Sequence, residues 1–308
     1  MAAYMIRRLL QGIVVIFFVS IATFGILQLA PGSPIDVMVG EAQVTQEQIA
    51  LIEAKWGLDK PWYVQYFRWM GNMLKGDFGQ SIVRTGVPVS TMLRDAASVT
   101  IRLNLIALVI STAIAVPVGI IAAVKRNSLF DYVASIGSTI GIALPSFWIS
   151  LMLIILFSLK LGWLPASGSQ SWKNYIMPVM VLALQETALV ARLARGSTLE
   201  ILRQDFVTTA RSKGLMERVV VSRHVVRNAM LPVVTVIGLR LAFLMSGTII
   251  VETIFAWPGV GRLFIDSIFR LDYQVIQAIV LLSSIIVVVM NILTDLAYAY
   301  IDPRIRVR

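Results

Sequence analysis

Few residues of this chain have a type and spacing that could support catalysis or metal binding. The sequence has 308 residues, no cysteine and one histidine, His224. Disulfides, thiolate metal sites and redox motifs are therefore impossible, and a histidine-rich metal centre is disfavoured. His224 lies in a basic loop without a serine or carboxylate constellation, so an intramembrane enzyme is rejected. The G-x-x-x-x-G-K-[ST] loop that cradles nucleotide phosphates is also missing. We predict no catalytic residue, no cofactor and no metal.

The other chemically notable residues are polar and charged groups inside apolar stretches. Gln185, Glu186 and Arg240 all lie in segments that are otherwise hydrophobic. A charge at bilayer depth is costly and tends to face a cavity or a partner. These three residues therefore either line a polar pathway, or Glu186 and Arg240 form an ion pair that holds helices together.

The composition shows which solvent these residues meet. Hydrophobic residues make up 57% of the chain, charged residues 14%, and the mean hydropathy is +0.81. Soluble globular proteins carry about 25% charged residues, so this chain is too apolar to be soluble. Disorder and nucleic-acid binding are excluded for the same reason, despite a net charge of +10. The class that fits is an all-α polytopic membrane protein.

Six apolar stretches are long enough to cross a bilayer, which needs about 20 helical residues. They are Leu9–Ala30, Val99–Val124, Tyr132–Leu159, Tyr175–Leu193, Ala229–Val251 and Gln274–Ile301. Pro145 is expected to kink the third stretch. More than half of the 27 Lys and Arg residues lie on the side that both termini share. Because basic residues favour the cytoplasmic side, we expect both termini there.

A long outer segment, residues 31–97, separates the first two stretches. Thr45 and Gln48 have the spacing of a capping box that opens one helix, and Pro61 opens a second, aromatic-rich one that ends near Gly76. We expect a small helical cap on the outer face. The predicted organisation is a first span, an extracytoplasmic helical segment and a five-helix core, at residues 1–30, 31–97 and 98–308.

The inner connection, residues 195–228, is basic and helical in pattern. Its apolar residues recur at steps of three and four, at Leu199, Leu202, Phe206 and Ala210. Asp205 is expected to cap a short helix over residues 206–213, and Gly214 to end it.

Two interpretations of this connection stay open. Small residues at Ala210 and Gly214 would let another protein approach the backbone closely, while Arg211, Lys213 and Arg218 offer charge to an acidic rim. Alternatively, the segment is an amphipathic loop that lies on the anionic inner leaflet.

The residues of this connection resemble a known family. Asp205-Phe-Val-Thr-Thr-Ala-Arg-Ser-Lys-Gly214-Leu is similar to the cytoplasmic EAA loop of ABC importer permeases, in the dipeptide and oligopeptide branch that also includes nickel and glutathione permeases. Where the general pattern has Glu-Ala-Ala, this chain has Thr208, Thr209 and Ala210. Similar motifs elsewhere are Ala30-Pro-Gly-Ser-Pro34, Gly57-Leu-Asp-Lys-Pro61, Gly76-Asp-Phe-Gly79, Ala143-Leu-Pro-Ser-Phe-Trp148, Glu252-Thr-Ile-Phe-Ala-Trp-Pro-Gly-Val-Gly-Arg262 and Asp302-Pro-Arg304.

This resemblance implies the six-helix ABC importer permease (MetI-like) fold, with residues 31–97 inserted between helices 1 and 2. It also implies a coupling helix that docks on a separate ATPase subunit, formed by Asp205, Phe206, Thr209, Ala210, Arg211, Lys213 and Gly214. The implied partners are a homologous second permease, two ATP-binding cassette ATPases, an extracytoplasmic substrate-binding protein and the lipid bilayer, with no nucleic acid. The implied location is the bacterial inner (cytoplasmic) membrane.

The function that the resemblance implies is ATP-driven import of di- or oligopeptides, with this chain forming half of the pathway and the partner ATPases hydrolysing ATP. Nickel, glutathione or another small solute are alternative substrates for the same role. A secondary carrier is the alternative from another class. Carriers usually show internal repeats and several intramembrane coupling residues, and this sequence has no evident repeat.

Overall fold

The computed structural model describes residues 2–29, 59–242 and 248–301, together with positions 45, 47, 54 and 57. Its elements are helices: α1 (Ala2–Leu29), α2 (Trp62–Leu74), α3 (Val89–Val124), α4 (Leu129–Ala143), α5 (Ser146–Leu153), α6 (Trp172–Leu202), α7 (Asp205–Ser212), α8 (Glu217–Val219), α9 (Val226–Ala242), α10 (Ile249–Ile254), α11 (Val260–Phe269) and α12 (Tyr273–Ile301). Two π-helical stretches, Ile154–Lys160 and Val220–Val225, continue α5 and α8.

Most of the predicted stretches form helices that are long enough to cross a membrane. Among the described residues, five helices are long and apolar enough to cross a bilayer, and α4 with the α5 segment makes a sixth candidate. That pair meets at 101°, so the stretch predicted over Tyr132–Leu159 is two helices rather than one continuous helix. The cause is Pro145, which has no N–H to donate and holds the preceding Leu144 in an extended conformation (φ −75°, ψ 126°). The predicted kink at this proline is confirmed as a complete break.

Helix ends differ from the ends of the apolar stretches. The second span begins at Val89 rather than Val99, and α6 continues past Leu193 to Leu202. For the predicted fifth span, Ala229–Val251, the structure describes α9 to Ala242 and α10 from Ile249, and residues 243–247 between them lie outside the described residues. Hydropathy marks where a helix lies in hydrocarbon, whereas its hydrogen bonds continue into water as long as the backbone allows.

The chain forms two compact units, which we call unit 1 (Met1–Thr100, Met245–Ile249 and Pro258–Arg308) and unit 2 (Ile101–Leu244 and Ile250–Trp257). In unit 1, α1 packs along α12, and α2 packs on α1. The Tyr66 hydroxyl lies 2.8 Å from Ser20 Oγ, and its ring meets Phe24 edge-on at 5.5 Å. The aromatic helix predicted after Pro61 is therefore confirmed as α2. The helix predicted from Thr45 lies outside the described residues.

A buried carboxylate fixes the end of the outer segment in unit 1. Asp272 precedes α12 and is 3% exposed. It accepts hydrogen bonds from the Ser81 hydroxyl and from the Ile82 backbone N–H at 3.1 Å. Ser81 Oγ in turn accepts from the Arg84 N–H at 2.8 Å. One side chain thus anchors the turn between Gln80 and Pro88 to the start of the last span.

In unit 2, α6 packs against α4, α5 and α9. The buried positions of α4 are Asp131, Ser138 and Gly141. Its large apolar side chains are exposed instead: Leu129, Phe130, Tyr132, Val133, Ile136, Ile140 and Ile142. This polarity is the reverse of a water-soluble helix and suits lipid, where small residues let helices pack closely and apolar ones face hydrocarbon. A Cβ added to Gly141 would lie 2.9 Å from Ala188 Cβ, so α4 and α6 are nearly in backbone contact.

We expect Asp272→Ala to release the turn around Ser81. The substitution leaves the buried Ser81 hydroxyl and Ile82 N–H without their acceptor, at about 1–3 kcal/mol for each group. Trypsin cleavage after the exposed Arg84 should become at least about tenfold faster. The control is Asp95→Ala, which removes an exposed carboxylate of the same unit. An unchanged cleavage rate would argue against the anchor.

We expect Gly141→Leu to separate α4 from α6 and lower stability by about 1–3 kcal/mol, since the added side chain has no space against Ala188. The matched control is Gly137→Leu, one turn earlier in α4, where an added Cβ meets nothing within 4 Å. Thermal unfolding in detergent measures both. Equal melting temperatures for the two variants would contradict the close packing.

Candidate functional site

The short helix predicted in the inner connection is present as α7. It follows α6 after two residues, Arg203 and Gln204. The N-cap is Gln204, not Asp205 as predicted. Asp205 is instead the first helical residue, where its negative charge suits the positive end of the helix dipole. Gly214 follows the helix in the left-handed region, at φ +74°, which confirms its predicted role in ending the helix.

Two inward side chains attach α7 to its own chain. Val207 and Ala210 are buried and pack on Val220 and Val225 of the π-helical stretch. Phe206 is 42% exposed, so its predicted place in the apolar stripe is wrong. The predicted stripe requires one continuous helix from Leu199 onward. The turn at residues 203–204 interrupts that helix, so the side chains that follow point in other directions than the spacing predicts.

The outer face of α7 contains all but one of the predicted coupling residues. Ala210 faces inward, so the prediction that it lets another protein approach the backbone is wrong. The predicted coupling residues that are exposed are Asp205, Phe206, Thr209, Arg211, Lys213 and Gly214. They form a surface of mixed charge around one aromatic ring.

An ion pair closes the turn after α7. Arg211 donates to Glu217 through Nη2 at 2.6 Å and through Nε at 3.0 Å. This pairing raises the pKa of Arg211 above its usual range. Both side chains are exposed, so the pair contributes only about 0.2–1 kcal/mol. Its effect is to hold the turn. The guanidinium of Arg211, which was predicted to offer its charge to a partner, is therefore paired with a carboxylate of its own chain. Glu217 was not predicted from the sequence, because only the reversal at Gly214 brings it next to Arg211.

The predicted intramembrane ion pair is also present. Arg240 Nη1 of α9 lies 3.2 Å from Glu186 Oε1 of α6, which confirms the structural interpretation of these charges. Gln185 Nε2 donates to the Leu144 carbonyl at 3.2 Å. Gln185 therefore satisfies a carbonyl at the break before Pro145. A role for these residues in lining a pathway stays a prediction.

These features define a multi-pass helical membrane protein with a short surface helix between two of its long helices. Residues 115–307 match the family described as the inner membrane component of binding-protein-dependent transport systems. Residues 1–103 match the N-terminal part of the membrane component of such systems. The chain therefore belongs to the permeases of ABC importers, and a secondary carrier is no longer an alternative.

Relatives in this family align over nearly the whole chain. The oligopeptide transport system permease protein AppB of Bacillus subtilis (strain 168) is 41% identical over 99% of both chains. The dipeptide transport system permease protein DppB of Alkalihalophilus pseudofirmus is 38% identical over 99% of this chain and 100% of that protein. The glutathione transport system permease protein GsiC of Escherichia coli (strain K12) is 40% identical over 99% of both.

Two solved transporters share the fold. The MetNI methionine ABC transporter in an inward-facing conformation is similar at a TM-score of 0.57 and 17% identity, over 69% of this chain and 97% of that one. An amino acid ABC transporter gives a TM-score of 0.52 at 19% identity, over 67% and 92%. At these identities the similarity concerns the fold alone, and it confirms the predicted MetI-like class.

We expect Val207→Asp to detach α7, because a buried carboxylate without a partner costs several kcal/mol. Hydrogen exchange of the amides of residues 205–212 should become at least about tenfold faster. The control is Thr208→Asp, which places the same charge on the exposed side of the helix. If both variants exchange at the wild-type rate, α7 is not held by this packing.

Proposed function

We propose that this chain is one of two permease subunits of a peptide importer, and that α7 is the surface on which an ATPase subunit docks. The observation that carries the proposal is the division of α7 into two faces. Val207 and Ala210 fix the helix to its own chain, while the opposite face is exposed. A partner that binds this face would move α7 and its flanking helices as one body.

The connection to α6 supports this coupling role. Only Arg203 and Gln204 separate α7 from α6, and hydrogen bonds from their N–H groups to Glu200 and Ile201 carbonyls at 3.2 and 3.1 Å tighten the turn. A short, hydrogen-bonded connection transmits a displacement better than a long flexible one. We therefore infer that ATP-driven movement of an ATPase subunit reaches α6 through α7.

The intramembrane charges support a second permease subunit. The Arg240 side chain is 42% exposed in the single chain, and a guanidinium at this depth is costly against lipid. We infer that a homologous subunit covers this face and that the polar pathway lies between the two. Two ATPase subunits, one for each permease, complete the proposed assembly.

The outer side offers a surface for a substrate-binding protein. A cavity of about 380 Å³ in unit 1 is bordered by side chains of both signs: Arg84, Asp95, Arg262 and Asp266. Part of it belongs to the outer segment, which we propose to be extracytoplasmic. The proposed location is the bacterial inner membrane, with both termini in the cytoplasm as the positive-inside rule favours.

The substrate class comes from the relatives. Their names specify oligopeptides, dipeptides and glutathione, and glutathione is itself a tripeptide. We therefore propose a short peptide as the substrate, with nickel or another small solute as outcomes that a transport assay distinguishes.

We expect Gly214→Trp to abolish ATPase binding and peptide uptake without preventing membrane insertion. At φ +74° a tryptophan is strained, and its ring protrudes from the docking face. Gly214→Asn is the matched control, because asparagine tolerates the left-handed conformation. Affinity purification from the native host in mild detergent, followed by mass spectrometry, measures which subunits co-elute.

The expected result is that wild type and Gly214→Asn recover a second permease and Walker-A ATPases, whereas Gly214→Trp loses the ATPases at least about tenfold. Uptake of labelled dipeptide, tripeptide, glutathione and Ni²⁺ into liposomes that contain the purified assembly then identifies the substrate. Normal ATPase recovery with Gly214→Trp would contradict the docking role of α7.

A further inference from the structure

Four of the contacts between α4 and α6 are spread along the whole length of α4. On α6 they involve residues spaced by three, four and three positions, which places them on one face of the helix. The α6 residues are Gln185, Ala188, Arg192 and Arg195, and their partners on or next to α4 are Leu144, Gly141, Thr139 and Asp131. The order is reversed between the two lists, so the helices run antiparallel in register.

The contact nearest to α7 is an ion pair between a buried carboxylate and a partly exposed guanidinium. Asp131, in the first turn of α4, is 3% exposed. Arg195 donates to both of its carboxylate oxygens, through Nε and through Nη2 at 2.9 Å. The carboxylate also accepts from the Asn127 N–H at 3.0 Å and from the Ser135 hydroxyl at 3.4 Å. We call this arrangement the lower joint.

The contact at the other end of α4 lies at the broken span. There the Leu144 carbonyl accepts from Gln185 Nε2 at 3.2 Å, immediately before Pro145. Between the two ends, Gly141 approaches Ala188, and the exposed Arg192 donates to Thr139 Oγ1 at 2.9 Å. The Leu144–Gln185 contact and the lower joint therefore hold both ends of α4 on α6.

The lower joint is also close to α7 along the chain. From Arg195, α6 continues without interruption to Leu202, about 10 Å further at 1.5 Å per residue, and α7 begins three residues later. A displacement of α7 thus acts on α6 just beyond the lower joint.

We propose that Asp131 and Arg195 are positioning residues for transport, which make α4 follow α6 when α7 moves, so that the motion reaches the break before Pro145. This inference rests on the proposed docking of an ATPase on α7. Its physical basis is that a buried carboxylate cannot leave its guanidinium without a large penalty. The α4–α6 contact therefore moves as one body rather than sliding. The neutral bond at Gln185 and the exposed one at Arg192 are weaker constraints.

The test uses the complete transporter in liposomes and measures ATP hydrolysis and labelled-peptide uptake in the same preparation. The variants are Asp131→Asn, Arg195→Lys and the exchanged pair Asp131→Arg with Arg195→Asp. The matched control is Arg192→Gln. It removes a guanidinium that lies on the same face of α6 but donates to Thr139 instead of Asp131.

The expected result is uncoupling rather than loss of the assembly. For Asp131→Asn, uptake per ATP hydrolysed falls at least tenfold while ATP hydrolysis stays within twofold of wild type. For Arg195→Lys, which keeps the charge but loses the bidentate contact, uptake per ATP hydrolysed falls at least threefold. The exchanged pair recovers at least half of the wild-type ratio. Arg192→Gln stays within twofold.

Other results would overturn the proposal. One is a ratio of uptake to ATP hydrolysis in Asp131→Asn that equals the wild-type ratio. Another is a joint loss of assembly, ATP hydrolysis and uptake in Asp131→Asn that the exchanged pair does not restore. If Asp131→Asn fails to assemble, Arg195→Lys decides, since an unchanged ratio for that variant also overturns it.

A second measurement separates this inference from the proposed function. Because the chain has no cysteine, cysteines introduced at the exposed positions Ile140 and Thr208 accept spin labels selectively. The distance distribution between them should be narrow in wild type and Arg192→Gln and broad in Asp131→Asn, with no ATPase present. Equal distance distributions in wild type and Asp131→Asn would contradict the role of the lower joint in holding α4 on α6. If the distances behave as expected but the wild-type assembly shows no ATP-driven uptake, only the transport role is overturned.

Discussion

A polar group among apolar helices is stabilised by a partner within the protein, because hydrocarbon offers none. Three such groups in unit 2 take their partners from the same helix. The Leu144 carbonyl, the Asp131 carboxylate and the Arg240 guanidinium all bond to side chains of α6. Association of helices in lipid has no hydrophobic driving force of its own. The position of α6 is therefore set by these bonds and by the small residues that let its neighbours approach.

The existence of the long helices could be predicted from the sequence, since about 20 consecutive apolar residues have few other uses. Their ends could not. The basic residues Arg192 and Arg195 mark where the apolar stretch of α6 ends, yet the helix continues to Leu202. The break at Pro145 could be located but not its size, because proline marks where the helical hydrogen bonds are interrupted and not the angle at which the chain continues.

The candidate site was predictable in the same uneven way. The ion pair of Glu186 with Arg240 was one of two interpretations that the sequence allowed, because a charge at bilayer depth tends to face either a partner or a cavity. The pair of Asp131 with Arg195 spans 64 residues, and its register depends on a packing that a single sequence does not specify. Phe206 was assigned to the wrong face of α7, because the two-residue turn before the helix changes its phase.

The coupling role that we propose for α7 requires a segment that transmits motion without absorbing it, and the packing around α7 suits that role. A helix of eight residues is too short to be stable alone, so α7 exists because Val207 and Ala210 pack on Val220 and Val225. A partner therefore meets a preformed surface and pays little ordering entropy when it binds. Under the proposed function, the outer face can vary to suit a particular ATPase while the inner face keeps the helix in place. The proposal thereby assigns recognition and transmission to different residues of the same helix.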